Sequence, residues 1–389
     1  MSLVPAKCTQ CGSNLTVEPS QEAAVCPFCN TPFIAEKAIN NYNTTNHINA
    51  KTVNVFQSPD SDFLIRAGVL EKYTGKSEKV IIPKTVKYIG QKAFASCYGI
   101  CSVELNDGLI EICYDAFFGC KNLINISIPD TVEKICGGAF GYCEKLQDVS
   151  IGRGVKVIGT QAFSNCTSLK NITIPDNVEV VDSMAFMDCT SLEKIKISNY
   201  VKKISSSVFK NCTSLKNVDI PDNVLEIDIE AFRGCSNLQE VNFSKNLKRI
   251  SAGAFFGCSS LTSIFFPMGI EKIDDGYDTS IHGAFYGCKN LKKINLPSSL
   301  MNKREAADAF GECTGLSDVE ISSDDLIGLS SKYKTSDGKE YRRMDRFKGS
   351  PFEKKINNIF ERELCLYCGG NFKGFFKKIC KNCNKEKNY

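Results

Sequence analysis

Four Cys-x-x-Cys pairs stand near the two ends of this 389-residue chain. They are Cys8–Cys11, Cys26–Cys29, Cys365–Cys368 and Cys380–Cys383. Each pair forms a tight knuckle that directs both thiolates at one ion, and two knuckles supply the four-cysteine site typical of structural zinc. The spacing therefore predicts two structural zinc ions, one near each end. Neither site is expected to be catalytic, because four protein ligands leave no open position on the metal.

Other uses of paired cysteines fit the sequence less well. An iron–sulfur cluster also takes four cysteines, but zinc is the commoner occupant at this spacing. A redox-active pair requires a βαβ context, which the flanking sequence lacks. Residues 8–33 resemble bacterial zinc-ribbon modules, and residues 365–383 resemble a related small ribbon. Such ribbons bind nucleic acid or protein, or only fold a terminus.

The C-terminal ribbon is part of a basic segment. Residues 332–389 hold 16 Lys or Arg against 7 Asp or Glu. This balance suits nucleic acid, a membrane surface or an acidic partner, or simply a solvated face. Phe372, Phe375 and Phe376 alternate with lysines there, so they either stack bases or form the small core of a zinc-stapled domain.

Between the paired cysteines lies a repeat that must position everything else. Its markers are Phe94, Phe117, Phe140, Phe163, Phe186, Phe209, Phe232, Phe255, Phe285 and Phe310, and the first eight are spaced by 23 residues. A unit of this size cannot bury its own apolar face, so it must stack on its neighbours. The sequence therefore predicts a solenoid with a continuous core.

One unit shows the expected local structure. Leu169, Ile172 and Ile174 follow the pattern L-x-x-I-x-I, whose alternation predicts a short strand that Pro175 ends. Stacked strands of successive units would form one parallel concave sheet. The "AF" pair at 162–163 is expected to begin a short helical or 3-10 turn on the convex side.

A cysteine follows each marker Phe by three residues. These cysteines are Cys97, Cys120, Cys143, Cys166, Cys189, Cys212, Cys235, Cys258, Cys288 and Cys313. Equivalent positions in stacked units form a column, and a small apolar thiol suits a crowded interior turn. We expect a buried, reduced column, with Cys113 and Cys136 as further core residues.

The consensus L-x-x-I-x-I-P-x-x-V-x-x-I-x-x-x-A-F-x-x-C resembles the leucine-rich repeats of the BspA or Treponema pallidum type. The resemblance covers about residues 78–322, and residues 63–83 resemble the N-terminal edge of such arrays. It implies a leucine-rich-repeat solenoid that binds partners, often as an extracellular adhesin, and it implies no chemistry.

Composition narrows the compartment and the class of protein. The chain has 21 cysteines, and so many thiols outside paired motifs favour a reducing, cytoplasmic location. The first residues lack the apolar segment of a secretory signal, and no apolar run reaches the length of a membrane span. With two histidines and no nucleotide-binding fingerprint, the sequence gives no support for an enzyme.

These observations divide the chain into five segments. They are an N-terminal four-cysteine zinc ribbon (1–35), a linker or arm (36–62), the solenoid with its cap (63–322), a charged and partly helical linker (323–360) and a C-terminal four-cysteine zinc ribbon (361–389).

The residue between the two isoleucines of each strand should point outward from the concave sheet. Candidate partner contacts are Thr173, Lys196, Asp219, Asn242, Phe265 and Asn295, together with His282 in the long insertion 274–283. Phe265 is either a hydrophobic anchor for a partner or packs beneath that insertion. The row lacks a basic stripe, which favours a protein or peptide over nucleic acid.

The sequence thus predicts a non-enzymatic protein-interaction scaffold with structural zinc ends and a partner on the concave face. Two alternatives stay open. One is nucleic-acid binding by the basic C-terminal ribbon, and the other is the surface-adhesin role that the family resemblance implies.

Overall fold

The computed structural model describes residues 62–274, 282–301 and 309–320, together with eight short strands nearer the termini. Of those strands, and of Ser298 and Met301, only the backbone is described. Among the residues described, no helix has the length and apolar character needed to span a bilayer.

Two antiparallel hairpins occupy the N-terminal ribbon segment. β1 (Val4–Lys7) pairs with β2 (Asn14–Val17), and β3 (Ala23–Val25) pairs with β4 (Pro32–Ile34). The first Cys-x-x-Cys pair falls between β1 and β2 in the sequence, and the second falls between β3 and β4. The cysteines themselves lie outside the described residues.

The solenoid opens with a strand that runs against all the others. β5 (Phe63–Arg66) pairs antiparallel with β6 (Val69–Tyr73), with an irregularity between Leu64 and Ile65. β6 then pairs parallel with the next coil, so β5 closes the first edge of the array.

Each later coil up to β24 contributes two short strands, and the last two coils contribute one each to the described structure. The first row consists of β7 (Lys79–Ile81), β9 (Ser102–Glu104), β11 (Asn125–Ser127), β13 (Asp148–Ser150), β15 (Asn171–Thr173), β17 (Lys194–Lys196), β19 (Asn217–Asp219), β21 (Glu240–Asn242), β23 (Ser263–Ile264), β25 (Lys293–Asn295) and β26 (Asp318–Glu320). The second row consists of β8 (Tyr88–Ile89), β10 (Glu111–Ile112), β12 (Lys134–Ile135), β14 (Val157–Ile158), β16 (Val180–Val181), β18 (Lys203–Ile204), β20 (Glu226–Ile227), β22 (Arg249–Ile250) and β24 (Lys272–Ile273).

Strands that pair within a row are parallel and in register with the repeat, but the first row is divided between β13 and β15, β17 and β19, and β21 and β23. In the second row Ile112 pairs with Ile135, and Ile135 with Ile158, so each step is one 23-residue unit. The buried residue of each strand therefore lies over its equivalent in the next coil. The parallel solenoid is confirmed, but the expected single sheet is two rows of strands.

The segments around each "AF" pair are turns and not the helical turns that the sequence suggested. Positions two before and two after the Phe take the left-handed conformation: Gln161 and Asn165 have φ of 58° and 60°. A right-handed helix cannot contain such alternation. Alternate N–H groups instead bond to the next coil, as from Phe163 to the carbonyl of Ala185 at 2.8 Å. The turns thus form a third ladder between coils.

Two columns fill the interior. The ten repeat Phe rings are fully buried and stack on one another, with centroids 4.7–5.7 Å apart and planes within 23°. Beside them, nine of the ten repeat cysteines are buried, which confirms the expected column except at its first member, Cys97, which is half-buried. Cys136 is buried as expected, whereas Cys113 is only half-buried.

A backbone bond joins the two sides of the long insertion in the ninth unit. The N–H of Ala284 donates to the carbonyl of Asp274 at 2.9 Å, so the coil continues in the ladder on both sides of it. Helix α1 (Ser298–Met301) follows β25 and is the one helix in the described part of the chain.

Beyond the coils, the described residues form two antiparallel pairs. β27 (Lys332–Lys334) pairs with β28 (Glu340–Arg342) inside the segment expected to be a partly helical linker. β29 (Phe372–Lys373) pairs with β30 (Ile379–Cys380) inside the C-terminal ribbon segment.

Candidate interaction surfaces

The first row presents a line of exposed side chains. Thr173, Lys196, Asp219 and Asn242 lie on β15, β17, β19 and β21, and all four are exposed. Each stands beside a core residue of its own strand, because successive side chains on a strand point to opposite sides. The residues that the sequence placed on the outer face therefore do form one surface.

Neighbouring coils partly pair the polar groups of this line. The amide of Asn242 donates to Oδ1 of Asp219 at 2.7 Å, and Nζ of Lys196 lies 3.7 Å from Oδ2 of Asp176. These contacts hold the side chains in order, although exposed ion pairs contribute little to stability. The surface is mixed in charge and has no basic stripe.

Phe265 stands at one end of the line, just after β23, and is 53% exposed. Nζ of Lys293 lies 5.7 Å from its ring centroid. Its neighbour Phe266 is buried and stacks on Phe243 with centroids 5.8 Å apart. An exposed ring beside a buried ring suits an anchor for a partner.

Asn295 has a structural task that the sequence did not reveal. Its side-chain oxygen accepts from the N–H of Phe266 at 2.5 Å, and its amide donates to the carbonyl of Phe266 at 2.8 Å. Both ends of the amide are engaged, so Asn295 fixes the backbone beside Phe265.

His282 belongs to a different surface. Its ring stacks on Tyr286 and on Phe256, with centroids 4.3 Å and 5.3 Å away, and Cζ of Arg233 lies 4.4 Å from the centroid of Phe256. None of the contacts described for His282 involves Phe265. The structure therefore does not bring together the two residues that the sequence grouped, and residues 275–281 of the insertion lie outside the described part.

A hollow of about 240 Å3 lies over the turn ladder and was not foreseen. Its aromatic walls are Tyr114, Phe118 and Tyr142, and its floor is the coil that carries Gly137, Gly138 and Gly141. We call it the aromatic trough. The sequence signal was "CGGAFGYC" at 136–143, in which three glycines stand where other coils have side chains.

A second hollow of about 490 Å3 coincides with a break in the second row. β16 and β18 are neighbouring strands of this row that do not pair, whereas every other neighbouring pair of its described strands does. The hydroxyl of Ser205 donates to the carbonyl of Val181 at 2.5 Å, where other coils use a backbone N–H. Val180 and Tyr200 are exposed at the rim.

The buried thiols of the column have the properties of core residues. Burial raises the pKa of Cys189 and of Cys235 to about 12. A protonated thiol is a poor nucleophile and a poor metal ligand. Among the described residues, no group of three or more His, Cys, Asp or Glu is arranged to hold a metal ion.

The zinc ligands expected from the sequence are not part of this description. Seven of the eight cysteines lie outside the described residues, and of Cys380 only the backbone on β30 is described.

Comparison with known proteins identifies the family of the repeat. A model of the BspA type leucine rich repeat region matches in six copies, over residues 67–193, 156–277 and 278–335. No curated protein matches the chain.

Several solved structures are similar to the chain. A leucine rich cell surface protein from Faecalibacterium prausnitzii is 26% identical, over 67% of this chain and 92% of that chain, with a TM-score of 0.38. The T. pallidum leucine rich repeat protein is 27% identical, over 53% and 91%, with a TM-score of 0.39. A leucine-rich repeat protein from Bacteroides ovatus is 19% identical, over 83% and 90%, with a TM-score of 0.39.

Proposed function

Because the chain belongs to the BspA-type leucine-rich repeat family, we propose that it is a non-enzymatic scaffold that binds a protein or peptide on its first strand row. One observation carries this proposal. Exposed side chains on β15, β17, β19 and β21 form an ordered line that ends beside the exposed ring of Phe265.

The backbone beneath this line favours binding over chemistry. Rigid strands hold the side chains in place, so a partner loses little of the protein's conformational entropy on docking. Mixed charges and amides suit hydrogen-bonded protein contacts, and an exposed aromatic residue supplies the apolar anchor that such interfaces need.

The experiment substitutes exposed residues of this line and measures whether a native partner still binds. The test variant carries Lys196→Ala, Asp219→Ala, Asn242→Ala and Phe265→Ala. The control carries Glu179→Ala, Lys202→Ala and Lys248→Ala, each at the residue before a second-row strand. Partners captured from the native cell by the full-length protein should lose at least about tenfold in affinity with the test variant only, as the loss of an aromatic anchor implies. Equal capture by both variants would contradict the assignment of this surface.

We also propose that each end of the chain holds one structural zinc ion. The hairpins β1–β2 and β3–β4 support this, since each Cys-x-x-Cys pair of the first site falls in the connection of a hairpin. At the other end, Cys380 lies on β30, which pairs with β29. Elemental analysis should give two zinc ions per chain, and removal of Cys8 and Cys11 together should reduce this to one. Visible absorbance with bound iron would refute the assignment.

A reducing location is part of the same proposal. The thirteen described cysteines are all free thiols, which suits the cytoplasm. The competing surface-adhesin role makes the opposite prediction. A membrane-impermeant thiol reagent applied to intact cells should leave Cys101 unmodified if the protein is cytoplasmic, and should modify it if the protein is displayed outside.

Nucleic-acid binding by the C-terminal ribbon is the second candidate function, and it rests on the basic composition of residues 332–389. A salt-dependent shift with random RNA that disappears on deletion of 361–389 would support it. Retention of the native partner by the same deletion would show that the strand row acts independently.

A further inference from the structure

We infer that the aromatic trough receives an arginine side chain from a partner protein. This inference adds a second contact site to the proposed scaffold and rests on that function only for the origin of the arginine. The trough lies on the turn ladder, away from the first strand row.

The first argument is the chemistry of the walls. Tyr114, Phe118 and Tyr142 are all large exposed aromatic residues, and all three face the same hollow. The one charged lining residue is the carboxylate of Asp115, and the remaining polar lining is uncharged. Ring faces are electron-rich and attract cations, so rings and a carboxylate together favour a positively charged group with an apolar stem.

The second argument is that the chain itself holds an arginine against a ring and a carboxylate elsewhere on the turn ladder. Phe256 is the residue after a marker Phe, and Cζ of Arg233 lies 4.4 Å from its ring centroid. The guanidinium of Arg233 is also paired with Glu230, which stands two residues before its own marker Phe. One arginine is thus held between a ring and a carboxylate on the turn ladder.

The trough offers the same two kinds of group in a different arrangement. Phe118 and Asp115 belong to one coil, whereas Glu230 lies one coil before Phe256. In the coils on either side of Phe118, the position of Arg233 is taken by Ala95 and Gly141, which have no cationic side chain. The trough therefore holds a ring and a carboxylate but no arginine of this chain.

The glycines let the ring and the carboxylate lie directly on their coil. A Cβ added at Gly141 would stand 3.1 Å from Cδ2 of Phe118, and one added at Gly138 would fall on the carboxylate of Asp115. The hollow outside this coil is lined by both groups. Nζ of Lys92 lies 4.0 Å from Asp115 in a largely exposed ion pair, so a bound cation would share the carboxylate with it.

The experiment uses the full chain and a pair of matched probes. N-acetylarginine methylamide carries the guanidinium, and N-acetylcitrulline methylamide has the same shape without the charge. Binding is followed by fluorine NMR of protein labelled with 3-fluorotyrosine, whose Tyr114 and Tyr142 signals are assigned by substitution. We expect the arginine probe to move both signals and the citrulline probe to bind at least ~5-fold more weakly, as the strength of a cation–π contact implies.

Two test variants and one control distinguish the loss of this binding site from the loss of the fold. Gly141→Arg places an arginine over Phe118 from within the chain and should abolish probe binding, whereas Met187→Arg at the same repeat position two coils further should not. Tyr142→Gly should also weaken binding, and its fold is safe because Tyr142 has a φ of 58° that glycine adopts without strain.

Equal binding of the two probes, or a response at Tyr200 in place of Tyr114 and Tyr142, would overturn the inference. Because free amino-acid derivatives are the probes, this result is separate from the test of the strand row. Loss of the native partner through the strand-row variant, with the trough signals unchanged, would leave the trough assignment standing.

Discussion

The sulfur of Cys189 lies 3.2 Å from the carbonyl oxygen of Phe163 in the preceding coil, and the thiol donates to that oxygen. The same bond recurs in nine coils, at 3.1–3.3 Å. The carbonyl of Phe163 also accepts from the N–H of Cys166 in its own turn. The thiol column is therefore a hydrogen-bonded ladder that links the coils through their interior.

This ladder predicts which thiols react. Burial raises the pKa of Cys189 to about 12, so near neutral pH the reactive thiolate is a negligible fraction. Under native conditions an alkylating reagent should modify Cys97, Cys101 and Cys113, which are half-buried, well before Cys120 or any later member of the column. Peptide mapping by mass spectrometry checks the order. Rapid native labelling of Cys189 would contradict the buried ladder.

Two substitutions at Cys189 separate the contribution of its side-chain volume to stability from that of its hydrogen bond. Cys189→Ala removes both and should lower the free energy of unfolding by about 1–3 kcal/mol. Cys189→Ser retains a donor to Phe163 and should cost less than the alanine change. Denaturant unfolding measures both, with Cys101→Ala as the matched control outside the column. If serine is as costly as alanine, the bond contributes nothing.

The stacked rings should dominate stability. Phe163→Ala opens a cavity in the middle of the column and should cost about 3–5 kcal/mol. Phe265→Ala removes a ring of the same size from an exposed site and should leave the melting temperature nearly unchanged. Thermal unfolding of the two variants is a direct comparison. Similar losses from both would mean that Phe265 is part of the core.

The break in the second row predicts a local difference in hydrogen exchange. The N–H groups of Asp182 and Asp228 donate to the previous coil at 2.9 Å, whereas the N–H of Ser205 makes no such bond to Val181. The amide of Ser205 should therefore exchange much faster than those of Asp182 and Asp228. Exchange followed by mass spectrometry or NMR tests this. Equal protection at the three positions would show that the two strands pair in solution.

Because of Asp274, the free energy of unfolding should depend on pH in the acidic range. Burial raises the pKa of its carboxyl, but Arg249 at 2.8 Å and Lys272 at 2.9 Å outweigh burial and hold the pKa below its ordinary value of 3.8. Protonation is then harder in the folded state than in the unfolded state. The stabilisation is complete above the ordinary pKa and is lost as pH falls below it.

The matching measurement compares the protein with Asp274→Asn as pH is lowered. At neutral pH the variant should be less stable by about 1–3 kcal/mol, a range reduced because both cations are partly exposed. The difference should shrink as pH falls below 3.8. A difference that stays constant down to that range and beyond would exclude the carboxylate as its cause.

The repeat could be predicted from the sequence because identical positions in stacked coils must have equivalent surroundings. Leu169, Ile172 and Ile174 are buried as their alternation indicates. The turn conformation could not be predicted, since "AF" segments are short and the left-handed positions are held by bonds to the next coil. The thiol ladder was hidden for the same reason, because its acceptor lies 26 residues earlier in the chain.

The surface was less accessible to sequence reasoning than the core. The exposed row from Thr173 to Asn242 follows from alternation alone. Asn295 looked equivalent to those residues, yet its amide is occupied by the backbone of Phe266. Ser198, where most units have proline after the isoleucine, was a visible signal near the break. Its hydroxyl donates to the carbonyl of Val178 at 2.6 Å, a contact between coils that the sequence alone does not reveal.

The antiparallel strand β5 at the start of the array affects whether two copies of the protein can associate end to end. A stack of near-identical coils presents, at an open end, a strand edge that would accept the end of another copy and so grow into a fibre. β5 runs antiparallel to β6 and carries an irregularity at Leu64–Ile65, so an incoming parallel strand finds the wrong polarity there. In the second row, the first strand of the array thus opposes end-to-end growth at this end.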